Sequence, residues 1–285
     1  QNHIPFDVLG SEFAAHLVEN AALDPYAVLV LPYVRRLPPQ LAESITDFVR
    51  RGGRLVVTGD PGRVPDALPA SPAVELELSG MKELGGRHGA RADGRFGDRL
   101  PLFGHFWGVR VPEARTRPSG WELSERAPFG PPEIAYGNED LSGFTLLYEQ
   151  DSGAGSVSVF PWTIGTSKRV SGLSSLGALL AGQVTALLGA HDELGADLPT
   201  DVEITLGAAG DSVVVHLVNH SGGRRDRVLD PQPLSGVLRL RGTFAERVTT
   251  AHSLRDDQPL AVHREGAELL VPVTVSGALE VIELA

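Results

Sequence analysis

Apolar positions along the chain change their spacing twice, and each change marks a different kind of structure. In the first stretch, strands and helices alternate. IPFDVL (4–9) is a short apolar run. SEFAAHLVENAA (11–22) opens with Ser11 as an N-cap and then sets Phe13, Leu17, Val18 and Ala21 at helical intervals. AVLVLP (27–32) is wholly apolar, as a strand buried on both faces is. PPQLAESITDFVRRGG (38–53) begins with proline, gathers Leu41, Ile45, Phe48 and Val49 on one face and closes on Gly52-Gly53, which predicts a capped helix. RLVVTG (54–59) returns as a buried strand. Links this short predict a parallel, doubly wound α/β sheet.

Residues 60–150 lose this order and carry Gly, Pro, Arg and scattered aromatics (FGHFWGV, 103–109; GWEL, 120–123; APFGPPEIAYG, 127–137). A span of that length is too long for an idle connection, so it reads as an insertion that makes contacts. SVSVFPW (156–162) resumes a strand, and LSSLGALLAGQVTALLG (173–189) is a helix apolar around most of its surface, as one lying on a sheet would be. After the connector AHDELGADLPT (190–200) the spacing turns to strict alternation. VEITL, SVVVHLVN, GVLRLR, RVTTAH, AVHRE, ELLVPV and ALEVIEL, between 202 and 284, are strands of a small all-β sandwich. Two domains follow, 1–190 with the insertion 60–150, and 198–285. The chain opens on what behaves as the second strand of a doubly wound sheet, so a first βα unit is expected upstream.

Composition narrows the chemistry. The 285 residues contain no cysteine, which removes disulfides, thiolate metal sites and every cysteine nucleophile. A formal net charge of −11 argues against a nucleic-acid or anionic-membrane surface. No apolar run approaches the roughly 18 residues that span a bilayer, and QNHIPFDVLG lacks the features of a signal peptide. A cytoplasmic location is the expectation. No cofactor or metal is called for.

The order of segments resembles the β-galactosidase trimerisation domain of family 42 β-galactosidases and of related hypothetical glycosyl hydrolases. The matching residues are HIPFDVL (3–9), YAVLVLPYVRRLPPQLAESITDFVRRGGRLVVTG (26–59), FGPPEIAYG (129–137) and VFPWTIG (159–165). VHLVNHSG (215–222) and ALEVIEL (278–284) are similar to the small β-domain that follows in those proteins. This resemblance implies a flavodoxin-like, amidotransferase-like fold and a non-catalytic role in oligomerisation. It also implies a catalytic (β/α)8 barrel as partner, in the same natural chain or separate, and a homo-oligomer. A carbohydrate is a candidate ligand. The stretch TSKRVSGLSSLG (166–177) departs from the relatives, which typically carry tyrosine and histidine there.

The same fold is similar to class I glutamine amidotransferases, whose reactive cysteine sits on the turn that aligns with Thr58, Gly59 and Asp60. No Gly-x-Ser-x-Gly replaces it here. Thr58 as nucleophile needs an adjacent base, and the segment offers only Asp60. Asp60 either binds a ligand or forms its turn before Pro61. His105 and Trp107 make either a sugar-stacking platform or an anchor for their loop. Glu133, stiffened by Pro131 and Pro132, faces an interface or sugar site or else pairs with an arginine, and as a lone acid it cannot hydrolyse a glycoside. Trp162 is a ligand or interface candidate at a strand end, with burial as the alternative. His216 and His220 share a strand face and would make half a metal site at most.

Overall fold

The structure is a computed structural model that describes residues 3–10, 23–34, 37–61, 88–92, 99–109, 117–118, 121–124, 141–223 and 229–285. The expected helix 11–22 and the segment FGPPEIAYG lie outside these residues. The molecule is a mixed helix and sheet protein with strands in several sheets. It divides into two compact units, Leu9–Leu187 and Gln1–Val8 together with Leu188–Ala285. Among the described residues no helix is long and apolar enough to cross a membrane.

Unit Leu9–Leu187 is built on β1 (Val28–Pro32), β2 (Arg54–Thr58) and β9 (Gly155–Phe160), which pair in parallel. Helix α1 (Pro39–Arg50) joins the first two. Its proline start and apolar stripe act as read: Leu41, Ile45, Phe48 and Val49 are buried. Its end is a Schellman cap, with Gly52 N–H donating to Val49 O and Gly53 N–H to Phe48 O, both at 3.0 Å. The sheet's alternation then selects its two faces. Leu55, Val57, Val157 and Val159 meet α1 in one cluster. Val56 and Phe160 point the other way, into a cluster with Leu176 and Leu187 of α3 (Ser174–Leu188). Each such large side chain contributes roughly 1.5–3 kcal/mol on burial. On the α3 side the buried Ser158 hydroxyl accepts from Gln183 Nε2 at 2.9 Å, and the same amide donates to Glu149 Oε1 at 2.6 Å.

The sheet is not parallel throughout. β8 (Tyr148–Ser152) runs into β9 through the tight turn Gly153-Ala154, and a hairpin this short can only be antiparallel. β5 (Arg117–Pro118) adds beyond it, also antiparallel. Within the insertion, β3 (His88–Ala92), β4 (Arg99–Leu102), β6 (Trp121–Ser124) and β7 (Leu141–Thr145) form a second antiparallel sheet in the order β4-β3-β6-β7. A further helix, α2 (Ile164–Ser171), precedes α3, and Gly172 at φ 73° separates the two.

The other unit has two antiparallel sheets around one core. One sheet contains β10 (Leu194–Asp197), β13 (Leu234–Leu240), β17 (Glu268–Val275) and β16 (His263–Glu265). The other contains β11 (Val202–Ala209), β12 (Ser212–Asn219), β18 (Leu279–Leu284), β14 (Ala251–Ser253) and β15 (Gln258–Leu260). Leu217, Leu238, Val271 and Ile282, all fully buried, represent the shared core. Six of the seven expected strands are present, and of RVTTAH only Ala251 and His252 are in a strand. β10 falls in the stretch read as a connector. Residues 242–247, where RVTTAH was to begin, form the short helix α4 (Gly242–Arg247). IPFDVL is likewise no regular element: residues 3–10 are neither helix nor strand.

His3 belongs to this unit. Its backbone is left-handed at φ 53°, and its Nε2–H donates to Pro199 O at 3.2 Å. Burial holds the imidazole below the ordinary histidine value. The unfolded chain therefore binds a proton that the folded chain refuses, so stability is complete above the ordinary value and declines as pH falls through it. An NMR titration is expected to put the His3 midpoint below the ordinary histidine value of about 6.5. The loss of thermal stability between about pH 7 and about pH 5 should be smaller in His3→Gln.

Candidate functional site

The carboxyl ends of β1, β2 and β9 lie side by side, at Pro32, Thr58 and Phe160. Ligands of open α/β sheets gather at such an edge. Each strand leaves it by a sharp turn. After β1 comes Tyr33, at φ 46°, whose N–H is shared between Thr58 O at 2.9 Å and Thr58 Oγ1 at 3.1 Å. After β2 comes Gly59, at φ 100°, whose N–H is shared between Phe160 O at 2.9 Å and Trp162 O at 3.1 Å. A side chain at Gly59 is excluded twice over. Its φ suits glycine, and a Cβ there would overlap Cδ2 of Tyr33, whose ring lies over the glycine.

The insertion closes the third turn. Phe103 N–H donates to Ser167 Oγ at 2.8 Å, His105 N–H to Thr163 Oγ1 at 3.0 Å, and Trp107 N–H to Pro161 O at 2.9 Å. Thr163 N–H returns a bond to His105 O at 3.1 Å. Phe106 forms an antiparallel bridge with Trp162, and their rings stack 5.8 Å apart at 13°. Because the segment is extended, its side chains alternate. Phe106 enters the core, while His105 and Trp107 on either side of it stay half-buried. Trp107 stands 5.8 Å from the Tyr33 ring at 41° and 6.3 Å from the His105 ring at 39°. Tyr33, Trp107 and His105 thus make a row of tilted rings, with the half-buried Asp60 on the elbow that follows Gly59.

Of the residues marked in the sequence, His105, Trp107, Thr58 and Asp60 belong to the turns and the insertion segment at this edge. Trp162 is fully buried, and its indole N–H donates to Leu146 O at 2.9 Å, so its place is in the core beneath the row. Glu133 lies outside the described residues. Tyr33 was missed, although its position directly after the LVLP strand was the available signal. His220 lies just past the end of β12, so it does not share a strand face with His216, and its Nε2 is 3.0 Å from Glu203 Oε2 of β11. Among the described residues no group of three or more His, Asp or Glu could hold a metal ion.

Among the described residues the edge offers rings and no activated nucleophile. Thr58 is still a strand residue, paired with Pro32 and Phe160 and only 6% exposed. Among the described residues its hydroxyl is bonded to the Tyr33 amide, which supplies no base. Gly59→Ala is expected to destabilise the chain by about 2–4 kcal/mol, since strain and the Tyr33 contact add. Gly172→Ala, with nothing within 4 Å of the added carbon, should lose only about 1 kcal/mol. Denaturant titration of both variants checks the difference.

No family model matches the sequence, and no curated protein matches it significantly. Solved structures do match its fold. α-L-Fucosidase isoenzyme 2 from Paenibacillus thiaminolyticus aligns with 94% of this chain at a TM-score of 0.67 and 16% identity, over 42% of its own length. The β-galactosidase from Bacillus circulans sp. alkalophilus aligns with 94% of this chain at 0.56 and 13% identity, over 34% of its own length. The cold-adapted β-galactosidase from Rahnella sp. R3 aligns with 100% of this chain at 0.54 and 13% identity, over 35% of its own length. The chain therefore shares its fold with a portion of each glycosidase and spans less than half of their length.

Proposed function

We propose that this chain is the non-catalytic accessory portion of a glycoside-hydrolase-like protein of carbohydrate metabolism. In this reading it holds an oligomer together and packs against a catalytic (β/α)8 barrel, in the same natural chain or as a separate one. The observation that carries it is the extent of the fold likeness. Nearly all of this chain corresponds to about a third of two β-galactosidases, which leaves the larger part of those enzymes outside the match.

Two features of the molecule support the finer assignment, a flavodoxin-like, amidotransferase-like doubly wound domain over 1–190 and a β-sandwich over 198–285. Helices α1 and α3 cover opposite faces of the parallel strands. The turn at Thr58–Asp60 has the outline of a reactive elbow without a reactive group. An amidase or hydrolase acting alone finds no support there, because Thr58 is spent on closing a turn. The insertion 60–150, with its arginines and aromatics, has the composition enriched where proteins meet.

Two measurements test the proposal. Sedimentation of the purified chain is expected to show a homo-oligomer, or a complex when a glycosidase barrel partner is added. Assays with chromogenic galactosides and fucosides are expected to show no turnover by the chain alone. A strict monomer that binds no barrel, or a chain that turns over substrate unaided, overturns the reading.

A further inference from the structure

Side chains alternate along a sandwich strand, so inward positions are apolar and outward ones are ordinarily polar. The inward half of this rule holds in the second unit, where Val215, Leu217, Ile282 and Leu284 lie in the shared core. The outward half fails on β12 and β18, which lie inside the order β11-β12-β18-β14-β15. β12 turns Ser212, Val214, His216 and Val218 outward, and β18 turns Leu279, Val281 and Glu283 outward. The register makes the apolar ones contiguous, with Val218 opposite Leu279 and His216 opposite Val281. Leu254, directly after β14, extends the surface by one more strand, its N–H donating to Val281 O at 2.8 Å. Leu254 is 47% exposed and Leu279 43%. Single exposed leucines are ordinary, but a contiguous apolar surface on an outer face marks a place where something docks.

Charge and area select the occupant. Among the described residues that point outward from β11, β12, β18 and β14 there is no lysine or arginine. The two carboxylates, Glu203 and Glu283, stand at opposite ends, beside Val218 and Val214. A different protein recognised through charge needs fixed charge to read, and the middle of this face has none. A second copy of this chain needs none. With a formal net charge of −11, two copies approach closely only through a surface that carries little of it. From the usual rise per residue and strand spacing, the five strands present a face of roughly 450 Å². Two such faces bury roughly 900 Å², which suits a weak, reversible pair and falls short of a permanent interface. Two sheets meeting face to face is also how this unit builds its own core.

We propose that the outward face of this sheet, around Val218, Val281, Leu254 and Leu279, docks a second copy of the chain as a reversible two-fold homodimer. The inference rests on the accessory reading for its oligomer and deepens it by naming the surface and the partner.

Sedimentation equilibrium of the whole chain, over a concentration series reaching the millimolar range, is expected to show monomer and dimer in exchange. Leu279→Glu and Leu254→Glu, made separately, each add a carboxylate to the face. Two-fold pairing brings that carboxylate in from both copies, so each variant should weaken the dimer about tenfold or more. Val170→Glu is the control, because Val170 is 60% exposed on α2 of the other unit. It should leave the dimer unchanged. Thermal melts establish that the variants fold. If neither glutamate variant folds, Leu254→Ser takes their place with the same expected direction.

A chain that stays monomeric throughout the series overturns the proposal. Association that is unchanged in the folded leucine variants does so too, as does equal weakening by Val170→Glu. If a glycosidase barrel covers this face instead, the chain alone stays monomeric and its complex with the barrel is lost in the leucine variants, which also overturns it. The accessory reading survives all of these results as long as the chain still associates or still binds a barrel. Unaided turnover of substrate overturns that reading and leaves this face untouched, so the two failures are distinguishable.

Discussion

Three parallel strands can end at one edge only if their outgoing chains avoid one another, and here that depends on a residue with no side chain. Gly59 turns at φ 100° and divides its N–H between the last carbonyl of β9 and that of Trp162. The space a Cβ would take is filled by the ring of Tyr33, which is itself turned into left-handed backbone and bonded back to Thr58. Each turn thus occupies the room that the next one vacates. The aromatic row is a consequence of this interlock: Tyr33 is held over the glycine, and the Trp162 carbonyl that Gly59 uses belongs to the residue on which Phe106 stacks.

Much of the architecture was legible wherever one period dominated. Helix α1 has its stripe, its proline start and its glycine end within one stretch, so nothing competed with the signal. Elements failed to show where their residues looked like something else. β8 was hidden because YEQDS carries few apolar residues, and its pairing with β9 is set by the turn Gly153-Ala154 and not by burial. β10 reads LGAD, a connector by composition. It is a strand because it pairs with β13, and charges flank it: Arg241 donates to Asp192 Oδ2 and to Glu268 Oε1, both at 2.7 Å. The bond from Arg241 also holds the Glu268 carboxyl below the usual range. Contacts between residues far apart in sequence leave no local period.

The site was legible in its parts but not in its assembly. FGHFWG announces an aromatic segment, yet only the bridge from Phe106 to Trp162 decides which rings face inward. The same bridge explains why Trp162, a plausible ligand contact at a strand end, is instead a floor. Tyr33 lies seventy-four residues before Trp107, and no spacing rule joins them. Parallel pairing of β1 with β2 and of β2 with β9 brings them together.

The geometry also explains why the Thr58 hydroxyl does not stand clear of the sheet. A nucleophile on a strained turn stands clear of the sheet, with its side chain exposed and a base in reach. Here the left-handed residue is Gly59, one position later, so Thr58 remains inside the ladder with both strand neighbours paired. Its hydroxyl accepts the Tyr33 amide, and that bond helps hold Tyr33 in its left-handed turn. Exposing the hydroxyl would mean breaking this bond and leaving the Tyr33 amide only the Thr58 carbonyl. The bond that occupies the Thr58 hydroxyl is therefore the same one that positions the first ring of the row. One hydroxyl cannot both hold the Tyr33 turn and stand free to react, and the fold assigns it to the turn.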